Sequence, residues 1–179
     1  TQVDVKCKGD STGSITVSGI PASGTYSYTL TPTNPAGTAV TQTTNVFSNL
    51  KAGDYSMVIK DSKSCDSAAQ PITITEPTND LKATASVTTP LTCSATNTQQ
   101  AATITVTAQD GTPFTTGSAY LYSFNGGGYG SSNTYTVNTA GDVTISVKDA
   151  NGCTYTVPSG VTIAPLNPPT ALSFTAGPA

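Results

Sequence analysis

The stretch NLKAGDYSMVIKDSKSC (49–65) places Tyr55, Met57 and Ile59 at every second position and closes on Lys-Asp-x-x-x-Cys. A period of two is the signature of a strand with one face turned to a core. The same sentence is written again as VNTAGDVTISVKDANGC (137–153), with Val143, Ile145 and Val147 in the alternate positions. Ala52-Gly53-Asp54 leads into the first run as Ala140-Gly141-Asp142 leads into the second. The echo continues outward: SITVSG (14–19) answers TITVTA (103–108), YSYTL (26–30) answers YLYSF (120–124), and PITITEP (71–77) answers GVTIAP (160–165). Cys7 and Cys93 precede the first of these pairs, and Cys65 and Cys153 end the long runs. A period of about 86 to 89 residues is too long for a solenoid unit and suits a small domain. The chain reads as two copies of one module.

Alternation recurs in QVDVK (2–6), SITVSG, YSYTL, DYSMVIKD (54–61) and ITITE (72–76) of the first copy. The second copy repeats it in LKATASV (81–87), ATITVTA (102–108), AYLYSF (119–124), DVTISVKD (142–149) and VTIAP (161–165). Turn residues such as Gly9, Pro21, Pro35, Gly53, Gly111 and Asn151-Gly152 punctuate these runs, and no amphipathic helix stands out. Short alternating strands with frequent turns predict an all-β fold: tandem immunoglobulin-like antiparallel β-sandwich domains. The first spans 1–78 and the second 79–167. Residues 168–179 read as a linker and the truncated first strand of a third repeat, because Leu172 falls in the place of Leu81. TQVDVKC at the other end reads as the tail of such a strand, so an excerpt from a longer array is expected.

Nearly a third of the residues are Ser or Thr, charged residues are 9%, and His and Trp are absent. All seven basic residues are Lys and the net charge is −3, which lacks the basic balance nucleic acid requires. No apolar run approaches the roughly 18–20 residues that span a bilayer, so no membrane insertion is expected, and TQVDVKC is no signal peptide. Cores built from small β-branched residues are thin at this module length. The four cysteines address that. They allow three pairings, and equivalent positions in equivalent copies favour one disulfide per domain: Cys7 with Cys65, and Cys93 with Cys153. Each loop closure would stabilise by roughly 4 kcal/mol on chain-entropy grounds, and disulfides imply an oxidising compartment or the cell exterior.

Three stretches bear on chemistry. GDSTG (9–13) fits the Gly-x-Ser-x-Gly of a hydrolase elbow, but Ser11 would need a histidine base that the chain lacks, and a strand follows in place of a helix. It reads as a turn, and no catalytic residue is expected. NGGGYG (125–130) lacks the phosphate-loop pattern and reads as a hairpin tip displaying Tyr129, an aromatic that could stack on a sugar. Asp54, Asp61, Asp142 and Asp149 recur at matching positions, where they cap turns or, on the rival reading, hold calcium. Without His and with the thiols oxidised, zinc is not expected, and no cofactor is assigned.

CKGDSTGSITV (7–17), NLKAGDYSMVIKDSKSC (49–65) and ITITEP (72–77) stand in an order and spacing that resemble the SprB-type repeat. In the second copy CSATNTQQAATITV (93–106) carries an insertion and lacks Gly-x-x-Thr-Gly, whereas 137–153 keeps the pattern. Such repeats occur in very large surface adhesins of gliding Bacteroidota exported by the type IX secretion system. The resemblance implies an adhesive or structural stalk segment at the bacterial cell surface, with neighbouring repeats as partners and surface polysaccharide or other adhesin chains as further ones. It also implies O-glycans at Asp-Ser/Thr followed by a small or apolar residue, a pattern met at Ser11 and Ser67. The other class of function weighed is a carbohydrate-binding accessory module of a secreted polysaccharide-acting protein, which would need a groove lined by aromatics.

Overall fold

The computed structural model describes residues 1–96 and 98–166. Among them every regular element is a strand, every pairing between strands is antiparallel, and there is no helix. The expected start of a third repeat, 168–179, lies outside the described residues. The chain divides into two compact units. The first holds Thr1–Leu81 with Asp110–Pro113 and Asp149–Cys153; the second holds Lys82–Gln109, Phe114–Lys148 and Thr154 onward. Where the sequence suggests a boundary at 78/79, the first unit runs on to Leu81 and takes two short segments of the second copy. Leu81 is 6% exposed, and its Cβ lies against Gly111 of the first of those segments.

The first unit contains β1 (Gln2–Val3), β2 (Gly13–Thr16), β3 (Tyr26–Asn34), β4 (Val40–Gln42), β5 (Val46–Leu50), β6 (Gly53–Asp61) and β7 (Gln70–Ile74). They pair as two sheets, β1-β2-β5 and β4-β3-β6-β7. The alternation in the opening stretch does what its period demands. Tyr55 and Met57 of β6 point into a cluster with Tyr28 and Leu30 of β3, Ile74 of β7, and Ile15 and Phe47 from the other sheet. Burying each large aliphatic side chain is worth about 1.5–3 kcal/mol, so the cluster is what joins the two sheets. Gly53 enters β6 at φ +154°, and a Cβ there would stand 2.6 Å from the Asn34 carbonyl oxygen, which explains why this position is glycine.

The second unit contains β8 (Lys82–Thr89), β9 (Thr92–Cys93), β10 (Gln99–Gln100), β11 (Ala102–Gln109), β12 (Leu121–Phe124), β13 (Thr134–Val137), β14 (Gly141–Val143), β15 (Ile145–Lys148), β16 (Thr154–Thr156) and β17 (Val161–Ile163). Four of its pairings follow those of the first unit, while β9-β10 and β15-β16 are its own. β8-β11-β13 follows β1-β2-β5, β12-β15 follows β3-β6, and β14-β17 follows β6-β7. Register is kept as well. Asp54 faces Thr73 across β6/β7 and Asp142 faces Thr162 across β14/β17; each threonine hydroxyl donates to its aspartate, at 2.7 Å in the first pair. The copies differ at Thr144, where the second copy breaks the long strand in two and Asn125 pairs with the Thr144 backbone through both its own N–H and its side chain. The buried set includes Ala83, Ala102, Ile104, Val106, Tyr122, Val143, Ile145, Val147, Val161 and Ile163, nearly all from alternating positions.

Candidate functional site

The cysteine turns are where the two copies are most alike and where their environments differ most. In the first, Asp61 Oδ1 accepts the N–H of Lys63 at 2.9 Å and of Cys65 at 2.8 Å. The Asp61 N–H donates to the Cys65 carbonyl at 3.1 Å, and Ser64 turns the chain at φ +66°. In the second, Asp149 Oδ1 accepts from Asn151 at 3.0 Å and Cys153 at 2.8 Å, the Asp149 N–H donates to the Cys153 carbonyl at 3.0 Å, and Gly152 turns at φ +87°. Lys-Asp-x-x-x-Cys is thus the code of one capped turn: the aspartate holds the backbone so that the cysteine is presented at its end.

Around Asp149 the turn is seated. Its other carboxylate oxygen accepts the Thr112 N–H at 2.9 Å, the Ala150 N–H donates to the Thr112 carbonyl, and Asp149 is only 1% exposed. Three backbone donors neutralise the cost of burying that charge. The Asn151 amide donates to the Thr112 hydroxyl at 3.0 Å and to the Lys6 carbonyl at 2.9 Å. Cys153 is disulfide-bonded to Cys7, with the Cα atoms 5.6 Å apart. Cys65 and Cys93 are free, exposed thiols.

This pairing corrects the expected Cys7–Cys65 and Cys93–Cys153 bonds, and strand direction explains why. The loop bearing Cys7 is tied to the exit of β7: Val5 N–H donates to the Thr75 carbonyl, Gly9 N–H to Glu76, and the Lys8 ammonium to the Thr78 carbonyl. β7 runs antiparallel to β6, so its exit lies beside Gly53, where β6 begins. Cys65 follows Asp61, where β6 ends. Nine residues of strand, roughly 30 Å at about 3.3 Å each, separate the two cysteines, far beyond the roughly 7 Å Cα limit of a disulfide. Equivalent positions tell which cysteines correspond; they could not say that the Cys7–Cys153 bond joins unlike positions of different copies.

Residues 1–35 match the SprB repeat family. The matched segment carries all of β1, β2 and β3, with Cys7 and Ser11; Cys153, the partner of Cys7, lies outside it. It contains the CKGDSTGSITV run on which the resemblance rests, so the SprB-type reading of the first copy is met at its N-terminal end. No curated protein matches the chain.

The other sequence candidates fall as follows. Ser11 is exposed, in the irregular stretch between Cys7 and β2, beside Thr12, whose hydroxyl accepts the Lys6 N–H. Ser67 is exposed too, but its Oγ accepts the Ile59 N–H at 3.0 Å and donates to the Ala68 carbonyl. Asp54 and Asp142 serve cross-strand threonines and Asp61 and Asp149 cap turns. Among the described residues no three acidic, His or Cys side chains gather as a metal-ligand set. Tyr129 is 37% exposed, yet the Lys148 ammonium sits 4.4 Å from its ring centroid and its hydroxyl bonds Ser146 at 2.9 Å. One ring face is therefore occupied by a cation in place of a sugar. The seats of Asn151, Thr112, Lys6 and Leu81 carry no signal in the sequence, because their contacts are to atoms far away along the chain.

Proposed function

We propose that the chain is a segment of disulfide-braced, immunoglobulin-like β-sandwich repeats from a large extracellular bacterial adhesin or filament, serving as adhesive or structural stalk modules. The observation that carries this reading is the SprB repeat match over residues 1–35. The recurrence of strand pairing and of the aspartate turn supports extending the repeat to the second copy. The two-sheet cluster supports the sandwich, as does Tyr55, whose hydroxyl donates to the Lys51 carbonyl at 2.8 Å, four residues upstream. A tyrosine placed so at the start of a strand is the corner device of immunoglobulin-like folds; the second copy has Val143 there. A disulfide fits an oxidising exterior. The role is non-enzymatic: Ser11 has no base, and its turn serves the loop after Cys7.

The test is made on the native host. Antibodies raised against this chain should label intact cells, and brief surface proteolysis should abolish the label. Label found only after permeabilisation would overturn the reading. The carbohydrate-binding alternative gains nothing from Tyr129, whose exposed ring is already pinned by Lys148 and Ser146.

A further inference from the structure

Cys65 ends a turn that matches the Cys153 turn bond for bond, and Cys93 holds the place of Cys7 in the second copy; yet Cys7 and Cys153 are bonded while these two are free. We propose that Cys65 and Cys93 are linking cysteines, each one half of a disulfide of the Cys7–Cys153 kind, joined to an adjoining repeat of the same architecture. Cys65 bonds a cysteine in the place of Cys7 from a preceding repeat, and Cys93 bonds one in the place of Cys153 from a following repeat. A second copy of this chain supplies both. The inference rests on the repeat-array reading and adds how the array is fastened.

A second observation points to the same partner. Beside Cys65 lies an open groove of about 230 Å³, lined by Ile20, Pro21, Tyr26, Ile59 and Asp61. In the second copy the segment after the corresponding strand, Asp110–Pro113, is covered. Leu81, from the stretch joining the copies, is buried against Gly111, and Thr112 is bound to Asp149. By the correspondence of SITVSG with TITVTA and of the two cysteine turns, the groove beside Cys65 answers to that place in the first copy. An apolar side chain from the joining stretch of a preceding repeat fits there, as its cysteine reaches Cys65. The polarity also agrees. Cys7 sits where the chain leaves the first copy, and Cys65 at the other end of β6, so one copy presents fastening points at both ends.

The bond forms by thiol–disulfide exchange with a low-molecular-weight disulfide such as oxidised glutathione as the oxidant. The Cys65 thiolate attacks one sulfur of the oxidant, forms a mixed disulfide and expels one thiolate. The Cys93 thiolate of the adjoining copy then attacks the Cys65 sulfur and expels the second. Two protein thiols lose two protons and two electrons, and the oxidant ends as two thiols.

The experiment incubates the purified chain in a glutathione redox buffer and maps the crosslinks by non-reducing peptide mass spectrometry. Expected is a ladder of oligomers joined by Cys65–Cys93, with Cys7–Cys153 retained. Cys65→Ser and Cys93→Ser should each abolish the ladder. Pro21→Lys, which sets a charge at the exposed rim of the groove, should slow ladder formation several-fold while leaving the reaction of Cys65 with a small aromatic disulfide unchanged. Equal yields of Cys65–Cys65 and Cys93–Cys93 bonds, or a Pro21→Lys variant that links at the parent rate, would overturn the proposal. So would re-pairing to Cys7–Cys65 and Cys93–Cys153, or no crosslink at all. Surface labelling of cells is independent of every one of these outcomes, so the array reading can stand if the linkage fails.

Discussion

At the scale of single residues, the two copies act as controls for each other. Asp149 accepts three backbone N–H groups and is buried, whereas Asp61 accepts two and is half-buried. Asp149→Ala therefore leaves three donors unpaired and should cost about 2–4 kcal/mol, against about 1 kcal/mol for Asp61→Ala, in denaturant unfolding. Equal losses would show that the Thr112 seat contributes nothing. Gly53 and Gly141 make a second pair. Both have positive φ, but a Cβ at Gly53 collides with the Asn34 carbonyl while one at Gly141 meets nothing within 4 Å. Gly53→Ala should destabilise by about 3 kcal/mol and Gly141→Ala by about 1 kcal/mol, the latter from backbone strain alone. The two candidate glycan sites differ in the same controlled way. Ser67 Oγ is engaged with Ile59 and Ala68, so peptide mapping of protein from the native host should find a hexose-bearing increment at Ser11 in preference to Ser67.

At the scale of elements, burial of tyrosines on strands sets a response to alkali. Burial pushes the Tyr55 hydroxyl above its ordinary value of 10.0, and burial with the neighbouring Tyr120 does the same for Tyr122. The folded chain thus holds these protons more tightly than the unfolded chain does. Their stabilisation is complete below pH 10 and fades as pH rises through the folded values. Thermal melts should be flat in this respect up to about pH 10 and then decline, and Tyr55→Phe with Tyr122→Phe should lessen that decline. Long alternating elements were legible in the sequence: the 54–61 run is β6, and 102–108 lies within β11. β4, β5 and β13 were not. In β5 only Phe47 is buried, and Val46 is an exposed neighbour of it, so no period of two survives to be read. These strands form because their backbones pair with β2, β3 and β11, a tertiary cause that local pattern does not record.

At the scale of the whole chain, the recurrence of the alternating runs was legible in the sequence and the pairing of the cysteines was not. Sequence similarity tells which cysteines correspond; which ones meet depends on strand direction, and β6 and β7 set Cys7 and Cys65 at opposite ends of a sheet. Closing 146 residues between Cys7 and Cys153 removes about 5 kcal/mol of unfolded-state entropy on the chain-entropy model. Reduction, or Cys7→Ser, should lower the denaturant midpoint accordingly, whereas Cys65→Ser should leave it unchanged in the monomer. The bond has one more consequence, which appears only under tension. A chain pulled by its two ends transmits load from Cys7 directly to Cys153, and everything between is shunted out of the line of pull. Those 146 residues hold roughly 500 Å of contour at about 3.5 Å per residue. In an optical trap that length should stay hidden however far the strands are unzipped, and be released when a reductant is added.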